Sequence, residues 1–535
     1  MRARTSLVAA FLACAVSGAT AADFAPPPEA ITTPDSINST LGTLSFRDGI
    51  PTAATAETLY DELDRMRAVE SFLNGFSGVS MYAIREGFRA AGVADNSVLI
   101  FSELMDSRSL FLTANADTIY FWGYLDLSKG PLVVEVPPGS LGIFDDMWFR
   151  WIMDFGAAGP DRGEGGRYLL LPPGYDGPLP EGGYFVGRSR TYGVGLIARA
   201  FLDDNDPAPA VHRIKESLKI YPYAAGSYGS SIGAFLNGDG PLGQLNNPTP
   251  ATFVEGSGRA MNTVPPNDAS YYAMLNALVQ EEPAEALDPE LAGQFAAIGI
   301  VKGKDFAPDA RLQSILSDAA AIGNAMSRTI GTRPREAEGF NYYPDSSWSN
   351  PLFVGGYEFM TPPPEVTKEG VQPYPDTGAR TLDARTSFFY LATVITPAMV
   401  MRLTDIGSQY LGTFYDAAGT PLDGAKTYKL VLPPNIPAAK FWSLTLYDNQ
   451  TRSMLQTAQL FPRAGSQSYP SPAAVQDADG STTVWFAPTQ PANIPASNWI
   501  QTVPGKGWFV LLRLYSPLQP FFDKSWRPGD IELVR

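Results

Sequence analysis

Cysteine and histidine are almost absent from this 535-residue chain, which contains one of each. Zinc and copper centres usually take several thiolate or imidazole ligands, so the sequence argues against both metals. Cys14 has no second cysteine with which to form a disulfide within the chain. His212 lies in a segment with helical periodicity, where a lone histidine is usually structural. We therefore predict no metal centre and no disulfide framework.

Long apolar runs and an excess of basic residues are also missing. After the N-terminus, no segment has the roughly 18 consecutive apolar residues of a membrane-spanning helix. Lysine and arginine total 39 against 55 aspartates and glutamates, which gives a net charge of −16. Such a surface repels nucleic-acid phosphates and anionic lipid. The sequence therefore disfavours nucleic acid and membranes as partners and predicts no membrane span.

The N-terminus has the order of features typical of a signal peptide. Two arginines precede an apolar stretch of about ten residues, Leu7–Val16, and Ala19–Ala21 then fits a small-x-small cleavage rule. This order predicts removal of residues 1–21, a mature chain that starts at Ala22, and a periplasmic or secreted protein. A lipoprotein anchored through Cys14 is the alternative.

Turn-forming residues divide the rest of the chain into short elements, since it contains 47 prolines and 50 glycines. Its length exceeds that of a single core, so two or more domains are expected. We predict a β-rich α+β protein with an N-terminal β-sheet or sandwich domain in residues 22–205. A mostly helical connecting region follows in residues 206–345, and a jelly-roll-like β-sandwich domain occupies residues 346–535.

Periodicity places the main elements. Apolar residues three or four apart predict helices over residues 59–76 and 82–91. Leu132–Val136 is a β-branched run that stops at two prolines, and Phe441–Tyr447 alternates in the manner of a half-buried strand. Ser387–Arg402 is a further apolar helix candidate.

The segment from Asn115 to Tyr120 is the first candidate site. On a strand, Asn115 and Asp117 would share one face. No basic residue lies near Asp117 in the sequence, so we predict that Asp117 is the catalytic acid, that Tyr120 assists it and that Asn115 binds the ligand. The alternative is an Asx turn that initiates a strand.

The second candidate is Phe144–Trp151, which holds two acids, one arginine and four large aromatic residues. Alternation along a strand would place Asp146, Trp148 and Arg150 on one face, where they would bind a sugar ring or a flat organic ligand. The alternative is a core strand with one satisfied ion pair. Further along, Arg513 lies inside an apolar strand and needs a carboxylate partner if it is buried.

Other patterns are weaker. Gly229–Gly233 has the spacing of a nucleophile elbow, and Gly238–Gly243 has that of a dinucleotide loop, but neither has the expected strand and helix around it. Asp203–Asp206 and Asp477–Gly480 could offer oxygen ligands to calcium or magnesium, although both are typical of turns. We predict that the protein has no cofactor.

Longer motifs resemble a known pair of families. The segments Asn115–Tyr120, Leu125–Pro131 and Arg167–Gly183 resemble the DUF1254 domain. The segments Thr420–Tyr428, Phe441–Asp448, Asn498–Trp499 and Leu512–Tyr515 resemble the DUF1214 domain. The resemblance covers most of the mature chain and implies a bacterial, often exported, two-domain β-rich protein. It carries over no site residue.

Three functions stay open. The first is a cell-envelope enzyme that acts on a small organic molecule or glycan by carboxylate and tyrosine acid–base chemistry. The second is a non-catalytic protein that binds a carbohydrate or another small ligand, and the third is a structural protein of the envelope. A deep pocket with a buried aspartate of raised pKa favours the first, and a shallow aromatic groove favours the second. A large flat apolar patch favours the third. Self-association into a homo-oligomer also stays open.

We predict that the exported protein begins at Ala22, because the charged, apolar and small-residue segments occur in the order that signal peptidase requires. The intact mass of the protein purified from the cell envelope or medium should equal that of residues 22–535. A mass that retains Cys14 with attached lipid would contradict cleavage at this position.

Overall fold

The computed structural model describes most of the chain: residues 27–223, 236–238, 248–335, 340–350, 356–360, 365–367, 370–372, 378–401 and 403–534. The predicted signal peptide and the Gly229–Gly233 pattern lie outside the described residues, and so does most of Gly238–Gly243. The chain divides into two compact units, one that ends at Leu63 and one that starts at Asp64.

The first unit is a small antiparallel meander of β1 (Ser36–Ser39), β2 (Gly42–Arg47) and β3 (Ile50–Pro51). Helix α1 (Ala53–Ala90) begins in this unit and continues into the second. The backbone N–H of Thr55 donates to the hydroxyl of Thr52, so Thr52 caps the helix start. The two predicted helical stretches are therefore parts of one continuous helix.

In the second unit, twelve strands form the N-terminal sheets, and the last three of them come from the middle of the chain. They are β4 (Val98–Ile100), β5 (Ser109–Leu110), β6 (Ile119–Asp126), β7 (Leu132–Val136), β8 (Ser140–Asp146), β9 (Trp151–Gly156), β10 (Gly166–Leu171), β11 (Phe185–Arg188), β12 (Gly193–Ala200), β13 (Lys219–Pro222), β14 (Phe253–Glu255) and β15 (Met261–Asn262). Six of them form a sheet in the order β14-β4-β6-β12-β8-β9, and four form a sheet in the order β11-β10-β7-β13. Buried residues of both sheets, such as Phe121 and Val134, share one core.

The predicted single strand over Phe144–Trp151 is wrong. Strand β8 ends at Asp146, a turn follows, and β9 starts at Trp151 as the antiparallel partner of β8. Phe149 in the turn has a positive φ of 53°, which strand geometry does not allow. Asp146, Trp148 and Arg150 therefore do not line one face of a strand.

Helices dominate the middle of the chain, as predicted, although β13, β14 and β15 also lie there. The remaining helices are α2 (Ala208–Ser217), α3 (Ser270–Glu281), α4 (Pro289–Ala297), α5 (Ala310–Thr332), α6 (Leu382–Leu391), α7 (Pro397–Val400) and α8 (Gln519–Phe522), with short 3-10 turns at Glu29–Ile31, Ala284–Ala286 and Ala496–Asn498. The side chains of Asp288 and Asp309 accept backbone N–H groups at the starts of α4 and α5. The apolar helix predicted over Ser387–Arg402 is interrupted between α6 and α7.

The C-terminal region is β-rich. Its strands are β16 (Glu365–Thr367), β17 (Gly370–Gln372), β18 (Ser408–Thr413), β19 (Tyr428–Leu432), β20 (Ala438–Asp448), β21 (Arg463–Gly465), β22 (Thr482–Ala487), β23 (Trp499–Gln501), β24 (Trp508–Pro517) and β25 (Glu532–Leu533). Two four-stranded sheets, β18-β24-β20-β21 and β23-β22-β19-β25, share a core that includes Leu430, Leu444 and Leu512.

A third core joins these regions. It combines residues of α1, α3, α5 and α6 with one face of the six-stranded sheet, including Trp122 and Ile197, and with Tyr447 and Phe509 of the C-terminal sheet. The six-stranded sheet is therefore buried on both faces. In the described part of the chain, no helix is both long enough and apolar enough to cross a membrane.

We predict opposite effects when two helical glycines are changed to alanine. A Cβ added at Gly323 in α5 would lie 2.7 Å from Cδ1 of Phe72, which is buried in the third core. Overpacking of this kind costs roughly 1–3 kcal/mol, so G323A should lower the free energy of unfolding. At Gly293 in α4 nothing lies within 4 Å of the added Cβ. G293A should therefore raise stability by up to about 1 kcal/mol.

Urea unfolding followed by circular dichroism measures both variants. A G323A protein that is as stable as G293A would contradict the packing of α5 on α1.

Candidate functional site

A cavity of about 220 Å³ lies between the six-stranded sheet and the C-terminal sheet that contains β18 and β24. The six-stranded sheet forms its floor because alternate residues of neighbouring strands point to the same face. Arg199 of β12 lies opposite Tyr120 of β6 and Leu141 of β8 in the ladder, and Ile143 lies opposite Asp154 of β9. All five side chains line the cavity.

Strands β18 and β24 form the opposite wall. Tyr410 pairs with Arg513 and Gly412 pairs with Leu511 across this antiparallel pair, and all four residues line the cavity. A further wall is the segment from α6 to α7, which contributes mostly apolar groups: Phe388, Leu391, Ala392, Val394, Ala398 and Met399, with Thr393 and Thr396. The cavity is therefore apolar over most of its surface.

Polar groups are concentrated on one side of the cavity, in a set that we call the guanidinium–phenol cluster: Tyr120, Arg199, Ser408, Tyr410 and Arg513. Arg199 donates from Nη1 to the Tyr410 hydroxyl at 3.2 Å and from Nη2 to the Ser408 hydroxyl at 2.8 Å. The two hydroxyl oxygens lie 2.5 Å apart. Arg513 donates from Nη2 to the backbone carbonyl of Thr113 at 2.6 Å. The cluster thus connects both sheets.

The two arginines give the cluster a positive charge that no contact with a carboxylate of the described residues balances. No Asp or Glu of the described residues lies within ion-pair distance of Arg199 or Arg513. Nη1 of Arg513 is buried and has no hydrogen-bond partner. Burial by itself would lower the pKa of Arg199. The phenol oxygens of Tyr410, Tyr515 and Tyr120 outweigh this effect and raise the pKa above its ordinary value, so the guanidinium stays charged. A buried cation without an anionic partner is costly, so the site favours an anion from outside the chain.

Tyr410 has an unusual environment for a buried tyrosine. Burial by itself would raise the pKa of its phenol, but the positive charges of Arg199 and Arg513 outweigh this effect and lower the pKa below its ordinary value. Tyr120 behaves in the opposite way, because burial dominates there and raises its pKa. Tyr410 is therefore the phenol best suited to lose a proton.

Asp154 is the acidic group of the cavity. Its Oδ1 accepts a hydrogen bond from the Thr396 hydroxyl at 2.5 Å. Burial raises the pKa of Asp154 to about 6, although hydrogen bonds from Thr396 and Trp151 favour the charged form. Its charge state therefore changes close to neutral pH.

Family comparisons match both β-rich regions. A family described as a protein of unknown function, DUF1254, matches residues 96–222, and one described as a protein of unknown function, DUF1214, matches residues 407–519. The chain carries a DUF1254 domain and a DUF1214 domain. The floor of the cavity belongs to the first domain, and the wall of β18 and β24 belongs to the second.

Two solved structures are similar to the chain. A protein from Vibrio parahaemolyticus is 18% identical, with a TM-score of 0.48 over 88% of this chain and 100% of that one. A putative uncharacterized protein from Burkholderia cenocepacia is 14% identical, with a TM-score of 0.36 over 90% of this chain and 97% of that one. A search of curated proteins finds no match.

Asp117 is not the free acid that the sequence predicts. Nε of Arg463 in the DUF1214 domain lies 2.8 Å from its Oδ1, and both side chains are fully buried. Its Oδ2 accepts hydrogen bonds from Ser443 at 2.6 Å and from Tyr515 at 3.0 Å. The prediction that no arginine or lysine reaches Asp117 is therefore wrong. Asp117 lines no wall of the cavity and instead joins the two domains.

In the rest of the Asn115–Tyr120 segment, Asn115 forms a turn and Tyr120 lines the cavity. The side-chain carbonyl of Asn115 accepts the backbone N–H groups of Asp117 and Thr118, so the Asx turn that was the alternative is present. Its Nδ2 donates to the Tyr120 hydroxyl at 2.6 Å. Asn115 thus orients Tyr120, which does line the cavity.

The second predicted cluster forms an ion pair at the β8–β9 turn. Nε of Arg150 contacts Oδ2 of Asp146 at 2.6 Å, so the predicted ion pair is present, and the Asp146 carboxylate also holds the β8–β9 turn. Trp148 is buried and stacks on Phe295 at 6.0 Å between ring centroids. None of Asp146, Trp148 and Arg150 lines the cavity.

The sequence interpretation missed Arg199, Tyr410 and Asp154. A signal for Arg199 was present, since it interrupts the apolar run Gly193–Ala200 at a position on the cavity-facing side of the strand. Arg513 was recognised as needing a carboxylate if buried, but it has no carboxylate within ion-pair distance among the described residues. Tyr410 has no signal of its own, because only the pairing of β18 with β24 brings it to Arg513.

Metal-binding groups are not assembled in the part of the chain that the structure describes, where no set of three or more His, Cys, Asp or Glu side chains could hold an ion. His212 is exposed on α2 beside Glu216. Asp203 contacts Arg213, and Asp477 accepts a hydrogen bond from Thr483.

We predict that D117A destabilises the protein by roughly 3–5 kcal/mol, because it leaves the Arg463 guanidinium buried without its counter-ion. The double variant D117A/R463M should recover much of this loss, since it removes both charges. As a control, E532Q breaks the exposed contact between Glu532 and Lys429 and should cost no more than about 1 kcal/mol.

Denaturant unfolding of the four proteins measures these differences. Equal losses for D117A and E532Q would show that Asp117 does not hold the domain interface.

Proposed function

We propose that this protein, exported as its N-terminal sequence predicts, binds a small organic anion with an apolar body in the cavity between its DUF1254 and DUF1214 domains. The observation that carries the proposal is Arg199, a charged guanidinium that lines an apolar cavity and that no carboxylate of the described residues contacts. A carboxylate on the ligand would supply the missing counter-ion.

The hydrogen-bond geometry supports an anionic group at this position. Arg199 uses one donor for Tyr410 and one for Ser408, and a guanidinium has five donors, so others remain for a ligand. The hydroxyl of Tyr120 accepts from Asn115 and can still donate its own proton. A planar carboxylate that meets a guanidinium and a hydroxyl is held in one orientation.

The apolar lining supports a hydrocarbon or aromatic body for the ligand. Phe111, Trp122, Ile143, Ile197 and Leu511 surround the space next to the cluster. Burial of apolar surface contributes roughly 25 cal/mol per Å². The volume of about 220 Å³ lies below the range of drug-sized pockets, so we expect a small ligand.

The other functions considered for the sequence fit the cavity less well. A glycan presents hydroxyl groups around its whole edge, and aliphatic side chains of the α6–α7 segment would leave many of them without partners. A purely structural protein has no need of charged groups that line a cavity. Both functions therefore account for fewer of the observed contacts.

Catalysis in the same cavity is a second candidate. Tyr410, whose phenol lies between two guanidinium groups, could act as a general base toward a bound molecule. Asp154, a buried aspartate with the raised pKa that is expected of an enzyme, would provide a proton donor. These two groups replace Asp117 in the carboxylate and tyrosine chemistry first expected.

We predict that the protein binds monocarboxylates with short alkyl or aromatic bodies and that R199M weakens this binding at least about tenfold. A charge-assisted hydrogen bond contributes roughly 1.5–3 kcal/mol, and each 1.4 kcal/mol is a tenfold change in Kd. Isothermal titration calorimetry with alkanoates, benzoate and phenylacetate measures the affinities, and the matched neutral amides test the need for charge.

Two further variants serve as controls. R199K keeps the charge but loses the planar fork, so its binding should be intermediate. R213M removes an exposed guanidinium that contacts Asp203 and should bind as the wild type does. Equal affinity for acids and amides, or no binding by any acid, would overturn the proposal. Mass spectrometry of the ligand after incubation distinguishes catalysis from binding, since Y410F should bind the ligand without converting it.

A further inference from the structure

Asp154 and Arg199 lie on the same face of the six-stranded sheet. Asp154 of β9 is opposite Ile143 of β8, Ile143 is opposite Ile197 of β12, and Arg199 follows two residues after Ile197. Residues opposite each other in a ladder, and residues two apart on a strand, point to the same side. All four side chains line the cavity.

The two charged residues are separated across this face. One strand lies between β9 and β12, and strands are spaced about 4.8 Å apart, so the Cα atoms of Asp154 and Arg199 are roughly 12 Å apart once the two-residue offset is included. Apolar side chains, Ile143 and Ile197, occupy the floor between them. The cavity therefore has a basic end and an acidic end with an apolar middle.

The Asp154 carboxylate, at the acidic end, can accept more hydrogen bonds than it does. The Asp154 carboxylate accepts from Thr396 and interacts with Trp151, while a carboxylate offers about four acceptor positions. In the described part of the chain, no lysine or arginine lies within ion-pair distance of Asp154. Its side chain is nearly buried, with 8% of the residue exposed. The acidic end thus resembles the basic end, since each has a buried charge without a counter-ion.

We propose that the ligand of this cavity is an amino acid of the ω type, with a carboxylate held at Arg199 and an ammonium group, at the far end of its apolar chain, held by Asp154. The inference rests on the proposed function and narrows its ligand class. A molecule with both charges would neutralise both ends of the cavity at once. An anion without the ammonium group would leave Asp154 without a partner.

The groups that face Asp154 are compatible with this role. Asp145 on β8 and Tyr168 on β10 are the titratable groups whose charges couple to it. Burial raises the pKa of Asp145 well above its usual range and also raises the pKa of Tyr168. Asp154, whose pKa is raised to about 6, is charged above about pH 6 and neutral below it.

The test compares two matched ligand series of about four to eight carbons, plain alkanoates and the corresponding ω-amino acids. Calorimetry at neutral pH should show that, at the best length, the ω-amino acid binds wild type at least about tenfold more tightly than the alkanoate. D154N should reverse this order, because it removes the counter-ion of the ammonium group. D154E, which keeps the charge, should retain part of the preference.

The pH profile gives a readout that a structural role would not produce. Because Asp154 gains a proton as the pH falls through about 6, wild type should lose its preference for the ω-amino acid between about pH 7 and pH 5. D154N should show no such change. Thermal unfolding of D154N and D154E confirms that both variants are folded.

The outcomes separate the two proposals. If neither series binds, the proposed function fails together with this inference. If alkanoates bind through Arg199 but the ω-amino acids bind no better, or if D154N keeps the wild-type preference, this inference alone is wrong.

Discussion

The buried contact between Asp117 and Arg463 holds the DUF1254 domain to the DUF1214 domain, and the cavity depends on it. Asp117 also accepts hydrogen bonds from Ser443 and Tyr515, so one carboxylate contacts three neighbouring strands of the second domain. Charge burial is costly unless both partners are in place, and in this arrangement of the two domains the charges of Asp117 and Arg463 compensate each other. That arrangement sets β24, and with it Arg513, against the floor of the six-stranded sheet.

Two charged side chains of the cavity, Arg199 and Asp154, are positioned where a ligand could pair with them. Asp117 has Arg463 as its counter-ion, whereas Arg199 and Asp154 have hydrogen-bond partners but no counter-ion among the residues that the structure describes. Both of these lie on strands whose positions are fixed by long ladders, so neither can move far to find a partner. A ligand that supplies the missing charges would be held by groups that are already in position, which lowers the entropic cost of binding.

Part of the fold and little of the site could be predicted from the sequence. The ion pair of Asp146 and Arg150 was predicted because both residues lie four apart in one segment. The partner of Asp117 could not be found in this way, since Arg463 belongs to the other domain and only the pairing of β20 with β21 brings it close. Tyr120 was predicted as a site residue and does line the cavity. Its neighbours in the cavity lining are Arg199 and Tyr410, and Asp117 is not among the lining residues.

The sequence by itself determined the local elements, because apolar periodicity, proline stops and turn residues act over a few neighbours. The helix that includes Leu59–Phe76, the strand Leu132–Val136 and the Asx turn at Asn115 are of this kind. The tertiary structure alone decided which charges are neutralised, since burial and long-range contacts set that balance. Asp117 and Asp154 are both buried aspartates of the DUF1254 domain, and only the packing of the two domains pairs the first with Arg463 and leaves the second facing a cavity.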